Sequence, residues 1–151
     1  MTMGNPLADM KMSGVGGAFG YRTSIGSNNH RGIDFSVNQE KGIPIFSTVS
    51  GTVVVSQAIG ERGNTIVIQS DENPDIFVLF QHLANDTTTE VRVKSGWVNI
   101  GDKIGIVGDT GLGGIHLHYE VLINPTINRD ENGKVTSISQ RGAMNPWLFL
   151  P

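Results

Sequence analysis

The sequence predicts an all-β domain, and two observations support this prediction. Its 151 residues include 20 glycines, which separate short runs of β-branched and aromatic residues that favour extended backbone. In addition, no segment keeps an amphipathic helical period for more than about two turns. We therefore expect a sheet-rich chain with little helix.

Three β-branched runs are the clearest predicted strands, at residues 52–55, 65–68 and 76–80. Turn-forming residues at 61–64 and 73–75 separate them, and a further turn is predicted at 99–102. The dipeptide Asn132-Gly133 predicts a later β-hairpin, because Asn-Gly favours tight hairpin turns. We expect this hairpin to lie away from any catalytic chemistry.

The two ends of the chain carry different signals. Residues 1–11 are expected to form a loosely ordered N-terminal arm, and residues 12–151 a single domain. The first eleven residues also lack the apolar stretch of a secretory signal. At the other end, we expect Trp147 and Phe149 to pack against the sheet.

Composition argues against several classes of partner. The net charge is −3 and the Lys and Arg residues are scattered, whereas nucleic-acid binders need a clustered basic face. No apolar run approaches the roughly 18 residues of a membrane span. We therefore expect neither nucleic acid nor membrane as a partner. Since the chain contains no cysteine, any metal site must use His, Asp or Glu.

The placement of the four histidines is the most informative feature. His30 lies in His-Arg-Gly-Ile-Asp, His82 in Phe-Gln-His-Leu, and His116 and His118 in His-Leu-His-Tyr-Glu. Residues two apart on a strand point to the same face. We expect His116 and His118 to project together, and Leu117 to face the core.

Asp34 can join these histidines if the chain bends. His30 and Asp34 would lie about 13 Å apart on an extended strand, which is too far for both to bind one ion. Gly32 gives the backbone the freedom for a bend. We expect Asp34 to turn back towards His30.

These residues fit zinc chemistry. Imidazole and carboxylate bind zinc, and a catalytic site keeps three protein ligands and one open position. Five candidates therefore leave two imidazoles to exchange protons with a water whose pKa falls to about 7. The residue types alone leave open which histidine has which role. A closed structural site built from three histidines and Asp34 is the alternative.

The motifs resemble those of the lysostaphin/LytM-type zinc metallopeptidases, whose signature is His-x-x-x-Asp followed later by His-x-His. The resemblance covers roughly residues 17 to 123, and Asn145-Pro146 resembles the usual ending. Further matching segments occur in family order at residues 19–22, 42–45, 51–53, 63–68, 82–83, 104–111 and 116–121.

The resemblance implies that His30, Asp34 and His118 hold Zn²⁺, while His82 and His116 act on the water and the transition state. It implies a compact antiparallel β domain, a barrel-sandwich hybrid, with zinc at the floor of a groove. The implied activity is endopeptidase cleavage of bacterial peptidoglycan peptides outside the cytoplasm. The protein would act as a monomer, or as one domain of a larger protein or phage particle.

The chain departs from the family pattern at two places near the groove. Residues 112–115 replace a common Ser-Thr-Gly stretch, and Phe80 stands where the family commonly has Tyr. Neither change touches a predicted ligand, so they bear on substrate preference. We assign Tyr21 to the core, and we expect Glu120 either to orient a histidine or to lie on the sheet surface.

A rival hypothesis is a catalytically silent domain on the same fold, which binds peptidoglycan, activates another enzyme or forms part of a phage tail. Silent relatives are expected to have lost ligand positions, whereas all five positions are present here. A glycosidase is disfavoured, since such enzymes usually need two acids flanking the scissile bond. The sequence therefore favours the peptidase.

Overall fold

The structure is a computed structural model that describes residues 1–12, 17–21, 29–40, 42–139 and 142–151. Within these ranges the regular elements are β-strands and short 3-10 turns, which confirms the all-β prediction. The strands are β1 (Gly20–Tyr21), β2 (Asn29–His30), β3 (Ile33–Phe35), β4 (Pro44–Phe46), β5 (Gly51–Ala58), β6 (Asn64–Ser70), β7 (Ile76–Leu83), β8 (Gly96–Val98), β9 (Lys103–Ile106), β10 (Leu117–Ile123), β11 (Ile127–Arg129), β12 (Val135–Ile138) and β13 (Ala143–Met144). The 3-10 turns are Gly60–Arg62 and Pro146–Leu148.

The largest sheet has seven antiparallel strands. Its order is β13-β10-β7-β6-β5-β8, and β3 pairs with β10 outside this path. The three strands predicted from β-branched runs form β5, β6 and β7 in its middle. Among the described residues, no helix is long and apolar enough to cross a membrane.

Strand β10 divides its side chains between the two faces of this sheet. Leu117, Tyr119 and Val121 belong to the larger core cluster, whereas Leu122 packs in a smaller cluster on the opposite face. His118 has the same parity as Leu122 and points to that second face. One strand therefore supplies both the main core and the candidate site.

The predicted hairpin is present. Strands β11 and β12 pair with Ile127 opposite Ile138, and Val135 and Ile138 belong to the smaller core cluster. The hairpin is not fully separate from the chemistry, however, because the Ile138 carbonyl accepts a hydrogen bond of 3.4 Å from Arg62. Arg62 also contacts Gln81 and Glu120, which are close to the candidate site described below.

The N-terminal segment differs from the loosely ordered arm that we expected. Met3 and Leu7 are almost completely buried in the main core. The backbone is also anchored, because Met3 N–H donates to the Phe149 carbonyl and Gly4 N–H to the Thr48 carbonyl. The segment is ordered because two of its apolar side chains are buried against distant parts of the chain. Its sequence has no regular hydrophobic periodicity that would predict this burial.

The C-terminal aromatic residues pack partly as predicted. Phe149 is partly buried against the main core. Trp147 makes an edge contact with Phe35, with ring centroids 5.9 Å apart, but 42% of its surface is exposed. Asn145 caps the final 3-10 turn by accepting a hydrogen bond from Trp147 N–H.

Candidate metal centre

Strands β3 and β10 place Asp34 directly opposite His118 in the antiparallel register. Directly opposed residues project their side chains to the same face. As a result, Asp34 Oδ1 lies 2.6 Å from His118 Nδ1. Strand pairing alone thus brings a carboxylate and an imidazole together.

His30 completes a group of three donors. Its Nε2 lies 3.2 Å from Asp34 Oδ1 and 3.1 Å from His118 Nδ1. The predicted bend between His30 and Asp34 is therefore present, and it separates β2 from β3. His30 itself is almost completely buried.

Gly32 in this bend is required for a different reason from the one we expected. Its φ is not positive, so conformational freedom is not the constraint. A Cβ atom here would overlap the carbonyl oxygen of Tyr119 and lie 2.8 Å from Glu120 Cγ. The absence of a side chain lets the bend lie directly against β10.

The three donor atoms have a spacing suited to zinc. Their separations run from 2.6 to 3.2 Å, whereas bonds of 2.0–2.2 Å in a tetrahedral site place neighbouring ligand atoms roughly 3.3 Å apart. Small adjustments would bring these atoms to that spacing. The donor types, two imidazoles and one carboxylate, also suit zinc.

The outward nitrogens of both candidate ligand histidines are fixed by hydrogen bonds. His30 Nδ1–H donates to the Ala18 carbonyl at 2.7 Å, which directs the lone pair of Nε2 inwards. His118 Nε2 lies 3.1 Å from Glu120 Oε1, so Nδ1 faces the other donors. Such partners set the tautomer and orientation of metal-binding imidazoles. Glu120 thus takes the orienting position rather than a sheet-surface one.

Electrostatics couple Asp34 and His118 in the metal-free protein. Burial raises the pKa of Asp34, but hydrogen bonds with His118 and His30 outweigh this and hold it well below its usual range. Burial lowers the pKa of His118, yet its bonds to Asp34 and Glu120 dominate and raise it to about 9. His118 therefore carries a proton at neutral pH, and a metal ion would replace that proton.

A bulge brings His82 to the same site. Asn64 pairs with Leu83 and Ile66 with Phe80, so β7 contains one more residue than β6 across this interval. His82 has a φ of +68°, which changes the direction of its side chain. Its ring lies 6.3 Å from that of His118 and 4.5 Å from that of His116.

His82 and His116 are both acceptors at Nε2 in their neutral forms. His82 Nδ1–H donates to the Thr110 carbonyl at 2.8 Å, and His116 Nδ1–H donates to the Gly114 carbonyl at 3.1 Å. Burial is the main cause that lowers the pKa of His82 to about 4 and also lowers the pKa of His116. Both rings are therefore uncharged near neutral pH.

The site is supported by a polar network that the sequence did not reveal. Arg62 Nη1 donates to Gln81 Oε1 at 2.8 Å and lies 3.4 Å from the nearer oxygen of Glu120. Gln81 Nε2 lies 3.3 Å from His82 Nε2. Gln81 is a polar residue in an otherwise apolar strand, and this was the available signal. Its partner could not be identified without the fold.

The segment before His116 borders the site, as predicted. The Gly114 carbonyl accepts the His116 hydrogen bond, and a Cβ on Gly113 would lie 2.8 Å from His116 Cε1. Leu112 exposes 60% of its surface beside these glycines. The segment thus combines close packing against an imidazole with an exposed apolar side chain.

The structure brings together all five residues selected from the sequence: His30, Asp34, His82, His116 and His118. The side chain of Tyr21 lies outside the part of the chain that the structure describes, so its assignment to the core stays a prediction.

An antiparallel β fold that gathers two imidazoles, a carboxylate and two further neutral histidines has the donor set of a metallopeptidase. The match to a known family agrees with this class. The chain belongs to peptidase family M23, whose family model matches residues 28–140.

Individual relatives support the assignment. The chain is 33% identical over 96 residues to the peptidoglycan DD-endopeptidase ShyA of Vibrio cholerae, which covers 62% of this chain and 20% of that protein. The structure matches the catalytic domain of lysostaphin from Staphylococcus simulans with a TM-score of 0.67 and 25% identity, over 92% of this chain and 90% of that one. It also matches a zinc-containing peptidase from Vibrio cholerae with a TM-score of 0.64 and 29% identity, over 82% and 37% of the two chains. The chain spans about a quarter or less of the length of two of its curated relatives.

Proposed function

We propose that this protein is a zinc-dependent endopeptidase that hydrolyses peptide bonds in bacterial peptidoglycan. The observation that carries the proposal is that one site contains both a set of metal donors and two further imidazoles. Three donor atoms lie within 3.2 Å of one another, and two neutral imidazoles lie beside them. A structural metal site would have no use for the second group.

In this proposal His30, Asp34 and His118 hold the metal ion. Zinc, when bound, supplies Lewis-acid polarisation of a carbonyl group and acidification of a water molecule. The protein supplies the orientation of the ligands, through Ala18 behind His30 and Glu120 behind His118. A closed four-ligand site is disfavoured, since among the described residues the donor atoms that lie within 4.8 Å of one another are those of His30, Asp34 and His118, without His82 or His116.

His116 is the better placed of the two histidines to exchange a proton. Its Nε2 lies 3.5 Å from Asp34 Oδ1, at the edge of the donor group, whereas His82 Nε2 faces Gln81. A neutral His116 can accept a proton from water and, as an imidazolium, donate it to the leaving amine. His82 serves the reaction by packing against the His116 ring and holding it beside the donor group.

The carboxylates favour amide cleavage over glycosidic cleavage. Asp34 belongs to the donor group, and Glu120 is fully buried behind His118. Neither is placed with the other across an open groove, as a glycosidase acid pair would be. Peptidoglycan peptides as the substrate agree with the names of the M23 relatives. Such a substrate places the activity outside the cytoplasm, in a single chain or as one domain of a larger protein or virion.

A digest of isolated peptidoglycan tests the proposed reaction. Peptide-bond cleavage releases free amino groups without new reducing sugar ends, and phenanthroline should abolish this release until zinc is restored. A rise in reducing ends, or cleavage that persists without metal, would overturn the peptidase proposal. No cleavage of walls with stem-peptide, D-amino-acid or glycine-rich cross-links would favour a catalytically silent domain.

A further inference from the structure

We propose that Arg62 is a positioning residue that aligns both halves of this site. It holds His118 through Glu120 and His82 through Gln81. The inference rests on the proposed function, since it assumes that His118 binds metal and that His82 serves the reaction. Nothing in the family motif assigned above includes Arg62 or Gln81.

The geometry places one guanidinium nitrogen between two buried acceptors. Arg62 Nη1 is 2.8 Å from Gln81 Oε1 and 3.4 and 3.5 Å from the two Glu120 oxygens. The side chain of Arg62 is 17% exposed, and that of Glu120 is completely buried. A charge pair with so little contact with water interacts more strongly than a surface pair.

Donor and acceptor chemistry fixes the direction of every bond from Arg62 to His82. A guanidinium can only donate, so the oxygen of the Gln81 amide must face Arg62 and its NH₂ group must face His82. At the other end, the Thr110 carbonyl can only accept, so His82 Nδ1 carries the proton. His82 Nε2 is therefore the acceptor for Gln81, and the chain of bonds has one consistent polarity.

A second branch runs from Arg62 to the metal donors. Glu120 accepts from His118 Nε2, and Arg62 lies on the other side of the same carboxylate. Once a metal ion replaces the proton on His118, that imidazole is neutral. Among the described residues, Arg62 then supplies a positive charge in contact with the buried Glu120 carboxylate. Arg62 thus helps to hold Glu120 in the orientation that His118 requires.

The backbone around Arg62 is itself fixed by the segment that borders the site. Leu112 N–H donates to the Glu61 carbonyl at 2.9 Å. A Cβ on Gly111 would lie 2.8 Å from the carbonyl carbon of Arg62, so the two segments are in close contact. The same 3-10 turn that presents Arg62 therefore also supports the segment before His116.

Two methionine variants, which keep an unbranched apolar stem and remove the polar group, separate the branches. Arg62→Met removes both, whereas Gln81→Met removes only the branch to His82. Arg129→Met is the matched control, because the Arg129 guanidinium is likewise hydrogen-bonded, to the Gly133 and Val54 carbonyls, but lies on β11 away from the site. Each protein is loaded with zinc, and two quantities are measured: zinc affinity in competition with a chelator, and the imidazole ¹⁵N resonances of the histidines.

Arg62→Met is expected to weaken zinc binding by up to about 10-fold, the lower end of the effect of losing a direct partner of a ligand, because Arg62 acts through Glu120. It should also shift the His82 Nε2 resonance, although Arg62 does not touch that ring. Gln81→Met should shift the same resonance and leave zinc affinity unchanged. Arg129→Met should change neither quantity.

Wild-type zinc affinity and an unshifted His82 resonance in Arg62→Met would overturn the proposal. If Arg62→Met does not fold, Arg62→Lys replaces it, because lysine keeps the charge but lacks the planar fork. A lysine variant identical to wild type in both measurements would also overturn it. Neither measurement uses peptidoglycan, so failure of the wild-type protein to cleave the wall would count against the proposed function alone.

Discussion

The rings of His82 and His116 are in tilted contact, with ring centroids 4.5 Å apart and planes inclined by 52°. One comes from the bulged end of β7 and the other from the residue before β10. Each donates Nδ1–H to a backbone carbonyl, so neither ring can rotate freely. This arrangement holds two neutral imidazoles beside a group of metal donors.

Replacing either histidine of this pair should remove activity without removing metal. His82→Ala and His116→Ala are expected to keep about one zinc per chain and to lose about 10²- to 10⁴-fold in peptidoglycan cleavage, the range for a positioned acid–base group. Metal content and turnover are measured on the same preparations. Loss of zinc from either variant would instead indicate a fourth ligand and a closed structural site.

Removing a member of the donor group should have the opposite signature. His30→Ala, Asp34→Ala and His118→Ala are each expected to lose most bound zinc, because two remaining ligands make a poor site. Metal analysis after dialysis against a weak chelator measures this, with His116→Ala as the control that keeps its metal. Full zinc retention in all three variants would contradict the ligand assignment.

The sequence predicted the parts of this site that depend on local alternation. His118 and Glu120 share a face of β10 because they are two residues apart, and Leu117 and Tyr119 take the core face for the same reason. The β-branched runs also predicted the positions of strands β5, β6 and β7. Each of these features depends on neighbours within a few residues.

Features that depend on distant contacts could not be predicted. The positive φ of His82 results from a register shift against β6, and regular alternation would have directed this side chain to the core. Burial of Met3 and Leu7 requires a core formed by strands much later in the chain. The bond from Arg62 to Gln81 likewise joins the 3-10 turn before β6 to strand β7, and only the sheet order defines their proximity.

Close contact between Gly32 and β10 predicts a sharp effect of a single methyl group. Gly32→Ala should destabilise the protein by about 1–3 kcal/mol, as overpacking does, and should weaken zinc binding because it separates His30 from His118. Gly133→Ala is the control, since its φ is +82° but no atom lies within 4 Å of its Cβ position. That variant should cost about 1 kcal/mol of strain and leave zinc affinity intact. Equal zinc affinities in the two variants would contradict the steric explanation.

The buried histidines predict a stability maximum near pH 6.5 once zinc has been removed. Burial lowers the pKa of His82 from 6.5 to about 4, against the opposing hydrogen bond to the Thr110 carbonyl, while His116 and His118 lower it further and Asp34 raises it slightly. The unfolded chain then binds more protons than the folded one between pH 6.5 and 4. The contribution of His82 to stability is complete above pH 6.5 and is lost as the pH falls through 4, by at most about 3 kcal/mol.

His118 acts in the other direction, because its pKa is raised to about 9. Its contribution to stability is complete below pH 6.5 and is lost as the pH rises through 9. Urea unfolding of the chelated protein at several pH values measures both limbs. His82→Gln should make the acidic limb less steep, with the remainder due to His116 and Asp34, whose pKa values are also lowered, and should leave the alkaline limb in place. An acidic limb of unchanged slope in His82→Gln would show that His82 is not the group responsible.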